Sequence, residues 1–167
     1  AFPDQYIHRM AENSLHVADL YLNRGDVART EAVYRISMRV EPQAKVATAL
    51  GNIAHEDGRG EEALEWWEQS LQLDDGQLEL RKRTGQRAFE LGHYARGLDN
   101  FGRAVQEDPH LTVEQRVRDF NILARTALQA RLNDRARTFL KQSLHLNNAQ
   151  VEVRRQLEQL EANGKDR

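Results

Sequence analysis

The sequence predicts an all-α fold, a right-handed superhelical solenoid of about four helical hairpins closed by a C-terminal capping helix. Three observations predict it. Gly25, Gly58 and Gly92 recur at spacings of 33 and 34 residues, each at the same point of a helix–turn–helix pattern, and a period near 34 marks stacked helical hairpins. Apolar residues at helical spacing, such as Leu64, Trp67 and Leu71, run along each half of the period. Charged residues make up 30% of the 167 residues and hydrophobic ones 40%, a balance that suits an elongated helical chain with much surface per residue.

The elements follow in order. Residues 2–10 lead into the first helix after Pro3, with Asp4 favouring a helix N-terminus. Repeats then cover 11–43, 44–77, 78–111 and 117–150, and a capping helix covers about 151–162, all within one domain over 1–167. Small residues at Ala18, Gly51, Gly85 and Ala124 let the two helices of a hairpin approach closely. Tyr34, Trp67, Phe101 and Leu140 are expected to fill the space between one hairpin and the next. Gly25, Gly58 and Gly92 supply helix C-termini that can enter the left-handed region, and Pro42 and Pro109 stop the second helices. Ser37, Ser70 and Ser143 stand at small packing positions and read as structural. Val151, Val153, Leu157 and Leu160 lie among Glu152, Arg154, Arg155, Glu158 and Glu161, as in a terminal helix that needs a polar outer face. Asn163-Gly164 would end it.

Three departures break the pattern. Arg131 stands where the turn glycine is expected, and Gly97 where the second helix would carry Ala. Thr112 to Arg116 are inserted before the fourth repeat, read either as a longer leading helix or as a change of superhelix pitch.

Leu50-Gly51, Ala54, Ala63 and Trp67, followed by Thr84-Gly85, Ala88, Phe101, Ala104 and Pro109, resemble the tetratricopeptide repeat, whose pattern is Leu-Gly, then Tyr, Ala, an aromatic and Pro. Val17-Ala18, Tyr21, Tyr34 and Pro42 upstream, and Leu123-Ala124, Ala136 and Leu140 downstream, extend the resemblance to about 140 residues. Asn148 stands where the last Pro would be. The resemblance implies a non-enzymatic scaffold that binds a protein or peptide in a concave groove lined by the second, fifth and ninth positions of each repeat. Those positions are Glu12, Leu15 and Asp19; Lys45, Thr48 and Asn52; Glu79, Lys82 and Gln86; and Arg118, Asn121 and Arg125. Asn52, Lys82, Gln86, Asn121 and Arg125 are the residues expected to carry binding. Asn52, Lys82, Asn121 and Arg125 partly resemble the carboxylate clamp of chaperone-binding members, where cationic donors hold carboxylates by charge-assisted hydrogen bonds. Thr48 and Gln86 stand where the clamp has Lys and Asn, which puts a clamp in doubt.

Trp66 and Trp67 point about 100° apart on a helix. Trp67 holds the packing position, whereas Trp66 either packs on the adjacent hairpin or stays exposed as a surface anchor. Arg81-Lys82-Arg83 and Arg87, with Arg116, Arg118 and Arg125 beyond, read as a solvated face paired with Glu79 and Glu90. They lack the interleaved aromatics that stack bases, so nucleic acid is not an expected partner.

Charge is unevenly placed. Residues 1–77 carry 7 basic and 14 acidic side chains, and residues 78–167 carry 17 and 12, within a net charge of −2. Such a bipolar chain suits head-to-tail association or a partner with a charged patch. No apolar stretch is long enough to span a bilayer, so no membrane insertion is expected. There is no Cys, which removes thiolate metal sites and disulfides. The six His show no i,i+4 pairing, and His55-Glu56-Asp57 reads as helix-end solvation. No catalytic residue, metal or cofactor is expected. The absence of an initiator Met and an Arg-rich composition (20 Arg to 4 Lys) lean toward an excised or processed segment. As the alternative to the binding scaffold, that segment would be an assembly or spacer part of a bacterial periplasmic exopolysaccharide-export or secretion machine, with the cytoplasm as the alternative compartment.

Overall fold

The turn residues set where the helices stop. The computed structural model describes residues 4–163. Its elements are α1 (Asp4–Leu22), α2 (Val27–Val40), α3 (Ala44–Glu56), α4 (Gly60–Leu73), α5 (Leu78–Glu90), α6 (Tyr94–Glu107), α7 (Val113–Gln129), α8 (Asn133–Leu146) and α9 (Val151–Asn163). Among the described residues there is no strand. Phe2, Pro3 and Gly164, which bear on the expected start and end, lie outside the described residues. Helices α3 and α5 begin at or beside the expected repeat starts, and α2 and α6 end ahead of Pro42 and Pro109.

Four turns share one hydrogen-bond pattern. Gly25, Gly58 and Gly92 have φ of 73°, 76° and 81°. Each donates its N–H three residues back, to Leu22, His55 and Phe89, and the following N–H reaches five back, to Tyr21, Ala54 and Ala88. Orphan carbonyls at each helix end are thereby satisfied. Arg131 adopts the same conformation at φ 58°, with the same bonds from Arg131 to Leu128 and from Leu132 to Ala127. The turn is thus kept where the glycine is lost, at the steric cost of a side chain in the left-handed region.

The inserted residues before the fourth repeat lengthen the leading helix. Thr112 accepts from the Gln115 N–H at 3.2 Å while the Gln115 side chain accepts from the Thr112 N–H at 2.8 Å. This reciprocal cap starts α7 at Val113 and gives it 17 residues, against 13 in α3 and α5.

Internal contacts divide the chain into two compact units, Ala1–Leu80 and Arg81–Arg167, with the division inside the first turn of α5. In the first unit α1 pairs with α2 and α3 with α4, and α2 lies on α3. Ala18, Tyr34, Met38, Val46, Leu50 and Ile53 form one core, and Ala54, Ala63, Trp67, Leu71 and Leu80 another. A Cβ added at Gly51 would lie 2.2 Å from Cδ1 of Trp67. The fully buried indole therefore rests on the bare backbone of its own hairpin as well as meeting Leu80 from the next helix, more than the inter-hairpin filling expected of it.

A network of partly buried charges ties α2 to α4 in this unit. Glu31 accepts from Arg59 at 2.9 Å and from Arg35 at 2.6 Å, and Glu62 accepts from Arg59 at 2.6 Å and from Arg35. The Arg59 hydrogen bond is the main cause holding the Glu31 carboxyl below the ordinary glutamate range, with Arg35 adding to it against a burial penalty. For Glu62 burial pushes upward, but its bonds from Arg35, Trp66 and Arg59 together win and lower it.

In the second unit α7 pairs with α8, flanked by α6 on one side and α9 on the other. Leu98, Val105, Phe120, Leu123, Phe139 and Leu140 lie at the centre of its core, and Val153, Leu157 and Leu160 of α9 pack against it, as a capping helix should. Phe101 would meet a Gly85 Cβ at 2.9 Å, Phe89 would meet one at Gly97 at 2.9 Å, and Phe139 would meet one at Gly102 at 2.5 Å. The Gly97 departure therefore has a cause: the Phe89 ring occupies the space of the missing methyl. Phe139 on Gly102, rather than Leu140 alone, joins the third and fourth hairpins. Arg81 corrects the expectation of a wholly solvated basic face, since it is only 2% exposed and pairs with Glu107 at 3.3 Å.

Two outcomes follow from these features. Arg131→Gly removes a Cβ from the left-handed region and is expected to stabilise the chain by about 0.5–1 kcal/mol, a strain term partly offset by the freer unfolded chain; an unchanged or lowered urea midpoint would count against it. The lowered Glu31 carboxyl contributes stability above its unfolded value near 4.3 and loses it as pH falls through the lower folded value. Between about pH 5 and about pH 3 the wild type should lose about 1 kcal/mol that Glu31→Gln does not lose, read from urea unfolding of both proteins at both pH values.

Candidate functional site

The residues expected to bind a partner fall in both units, and most are already bonded within their own. In the first unit Asn52 follows Gly51 on α3. Its Oδ1 accepts from the Trp67 Nε1–H at 3.2 Å, so it fixes the indole that lies on Gly51. Trp66, on the next face of α4, is half-buried. It packs against the first core, donates to Glu62 Oε1 at 3.3 Å and lies under the Arg35 guanidinium, 5.6 Å from its ring. Of the two sequence readings of Trp66, packing describes it better, although part of the ring stays accessible. His55 leans on Trp67 with ring centroids 5.4 Å apart.

In the second unit Lys82 is a counter-ion. Its Nζ lies 3.0 Å from Oδ2 of Asp108, a carboxylate only 5% exposed. The His110 N–H bonds Asp108 Oδ1 at 2.9 Å, and this bond first, then Lys82, holds the Asp108 carboxyl below its ordinary range. Sequence reasoning missed this role, because the partner lies 26 residues away and just beyond a different helix. Gln86 donates to Glu90 at 3.1 Å along its own helix.

Asn121 belongs to a device that occurs twice. At the start of α9, Gln150 donates from Nε2 to Ser143 Oγ at 2.9 Å and to the Asn147 carbonyl at 3.0 Å, while its Oε1 accepts from Asn121 Nδ2 at 2.7 Å. In the first unit Gln77 donates to Ser70 Oγ at 2.9 Å and the Asp74 carbonyl at 3.0 Å, and accepts from Thr48 at 3.3 Å. Each glutamine clasps the end of one hairpin to the start of the following helix. The signal was visible as Ser followed seven residues later by Gln, at Ser70 and Gln77 and again at Ser143 and Gln150.

Arg125 differs from the others. It is exposed and, with Asn121, lines a cavity of about 200 Å³ between α7, α8 and α9, which Leu128, Leu140, Glu152, Val153 and Gln156 complete. The structure thus brings these two expected residues together on one surface. Arg118, about two turns before Arg125, has its side chain 67% exposed and lies 3.3 Å from Asp119. An apolar cavity of about 540 Å³, lined by Phe89, Tyr94, Phe101, Val105, Ile122 and Leu123, opens elsewhere in the unit with Asp119 and Thr126 as its polar lining. No repeat-position rule points to it, since its walls come from three helices. Among the described residues no cluster of three or more His, Asp or Glu could hold a metal, and no helix is long and apolar enough to cross a membrane.

No protein-family model matches the chain, and no curated protein matches it by sequence. Solved structures do. MamA is similar with a TM-score of 0.55 at 16% identity, over 94% of this chain and 84% of that one. A tetratricopeptide repeat protein from Parabacteroides merdae gives 0.54 at 20% identity, over 93% and 61%. YrrB, described as a tetratricopeptide repeat protein with an unusual peptide-binding site, gives 0.52 at 15% identity, over 92% and 77%. At these identities the likeness concerns the fold, and the fold is that of an all-helical repeat protein of the tetratricopeptide kind.

Proposed function

We propose that this chain is a non-enzymatic scaffold that binds a partner protein or peptide on the faces of its first helices, with Arg125 as the leading contact. The observation that carries the reading is the pairing of the exposed Arg125 guanidinium with Asn121 beside the cavity between α7, α8 and α9. A cation that makes no salt bridge among the described residues, next to a concave surface, can take a carboxylate by a two-pronged hydrogen bond without breaking an internal one. Arg118 extends the same basic face. An acidic segment of the partner is the matching chemistry. Lys82 and Gln86 in the same unit, and Asn52 in the first unit, are proposed as further contacts, and the accessible edge of Trp66 as a separate anchor. The peptide-binding site reported for YrrB, which shares the fold, supports this reading.

A second reading is that of a spacer segment in a larger bacterial envelope machine for export or secretion. It is favoured by the internal bonds at Asn52, Lys82, Gln86 and Asn121, which make much of the expected binding surface part of the scaffold.

Partner capture separates the two. The purified chain should retain a salt-sensitive protein from either bacterial cytoplasmic or envelope extract, and Arg118→Glu with Arg125→Glu should weaken retention at least about tenfold, the weight of ~1.4 kcal/mol. Both positions are exposed, so folding should be unaffected. Equal retention by the double variant would remove the binding face from α7, and no retained protein in either extract would favour the spacer.

A further inference from the structure

Helix α1 carries two packing faces, and its own hairpin uses one of them. Ala18 is buried in the first core and Leu15 packs against that core. A second stripe, at spacings of four, three, four and three residues, runs through Tyr6, Met10, Asn13, Val17 and Leu20. Residues so spaced share one face of a helix. Tyr6, Met10, Val17 and Leu20 are 53%, 57%, 40% and 45% exposed, and Asn13 is exposed as well. A lone exposed apolar side chain is ordinary, but a row of them along about four turns marks a contact surface.

The repeat shows what this face is built for. One period of 33 residues later, Asn13, Val17 and Leu20 correspond to Val46, Leu50 and Ile53 of α3. Those three are buried in one core with Tyr34 and Met38 of α2. In α3, therefore, this face packs on a neighbouring helix, whereas in α1 it stays open among the described residues.

Three features select what would cover it. Asn13 stands where α3 has Val46, so an apolar helix laid on the stripe would bury its amide without a hydrogen bond, which is costly. A second copy answers it with its own Asn13, since each amide both donates and accepts. The stripe is also nearly symmetric about Asn13: Tyr6 and Leu20 lie seven residues to either side, and Met10 and Val17 three and four. Two α1 helices running antiparallel and meeting at Asn13 bring Tyr6 against Leu20 and Met10 against Val17. Along one edge of the stripe lie Arg9, Glu12, His16 and Asp19, in that order. The antiparallel arrangement sets Arg9 of one copy near Asp19 of the other, and Glu12 near His16, so the charges are complementary. We propose that this face of α1 binds a second copy of the chain as a two-fold dimer centred on Asn13. Such a contact closes at two chains, whereas the head-to-tail association that the uneven charge suits would go on to longer assemblies. The surface belongs to the first unit and stands or falls independently of the Arg125 face.

The chain has no Cys, so an introduced one is a unique reporter. Asn13→Cys should give a covalent dimer in mild oxidant, because a disulfide needs Cα atoms within about 7 Å. Asp134→Cys, at a position 91% exposed in the second unit, reports chance collision and should bridge at least about tenfold more slowly. Mixed Met10→Cys and Val17→Cys chains should join to each other in preference to themselves; parallel helices would do the reverse. Sedimentation equilibrium of the unaltered chain at about 100 µM should show a dimer and nothing larger, since a seam this short falls below the about 1,200–2,000 Å² of stable interfaces and binds weakly. Val17→Glu with Leu20→Glu, both at exposed positions, should raise the dissociation constant at least about tenfold with helix content by circular dichroism unchanged. Four results would overturn the proposal: a monomer up to about 1 mM, bridging at position 13 no faster than at 134, preferred self-joining of the Met10→Cys and Val17→Cys chains, or assemblies that grow past two chains.

Discussion

A ring that rests on a glycine, with no side chain between them, sets the helix spacing through the middle of this chain. Trp67 lies on Gly51 and Phe101 on Gly85, and in each case a single methyl at the glycine would fall within 3 Å of the ring. Interiors packed at crystal-like density transmit such a collision to their neighbours. The spacing of α3 and α4 then fixes where Ala54, Ala63, Leu71 and Leu80 can meet, and with it the core that Trp67 organises. Phe89 on Gly97 and Phe139 on Gly102 apply the same rule to α5 with α6 and to α6 with α8. Helices held this closely leave little room for rotation, so the polar residues along them have fixed partners.

The polar arrangement follows from that spacing. Asn52 can reach the Trp67 indole because the ring is pinned one residue away, and Gln77 and Gln150 can clasp Ser70 and Ser143 because those serines stand where two helices nearly touch. Such bonds satisfy groups that burial would otherwise leave costly. They also decide what is left for a partner. Of the residues expected to bind, Arg125 alone is exposed and makes no internal salt bridge or hydrogen bond among the described residues, while Lys82 neutralises a buried Asp108. Reversing the charge of Lys82 would set two carboxylates together and test the fold rather than the binding surface.

The helices were legible because their signals are local. A glycine at 33- and 34-residue intervals marks three turns, and the residue types at Gly51, Trp67, Gly85 and Phe101 announce close packing without any knowledge of neighbours. Arg131 hid the fourth turn, yet the same hydrogen bonds form there, since the flanking helices dictate the conformation against the residue's own preference. The inserted Thr112 to Arg116 allowed two readings, and the reciprocal cap between Thr112 and Gln115 selects the longer helix. Side-chain roles were less legible where the partner is distant. Nothing local to Arg81 shows that Glu107 will meet it in a buried position, and nothing local to Asn121 shows that Gln150 will. Position within a repeat identifies a face, but the atoms left over after folding depend on pairs far apart in sequence.

The direct measurement of the central constraint is a double-mutant cycle on Gly51 and Trp67, with unfolding free energies from urea titration of the four proteins. Gly51→Ala alone should cost about 1–3 kcal/mol, as overpacking does. In a Trp67→Leu background, where the ring is gone, the same substitution should cost little, and the two changes should be coupled by at least about 1 kcal/mol. Costs that add to within about 0.5 kcal/mol would show that the ring and the glycine do not set each other's position, and the account of the helix spacing would fail.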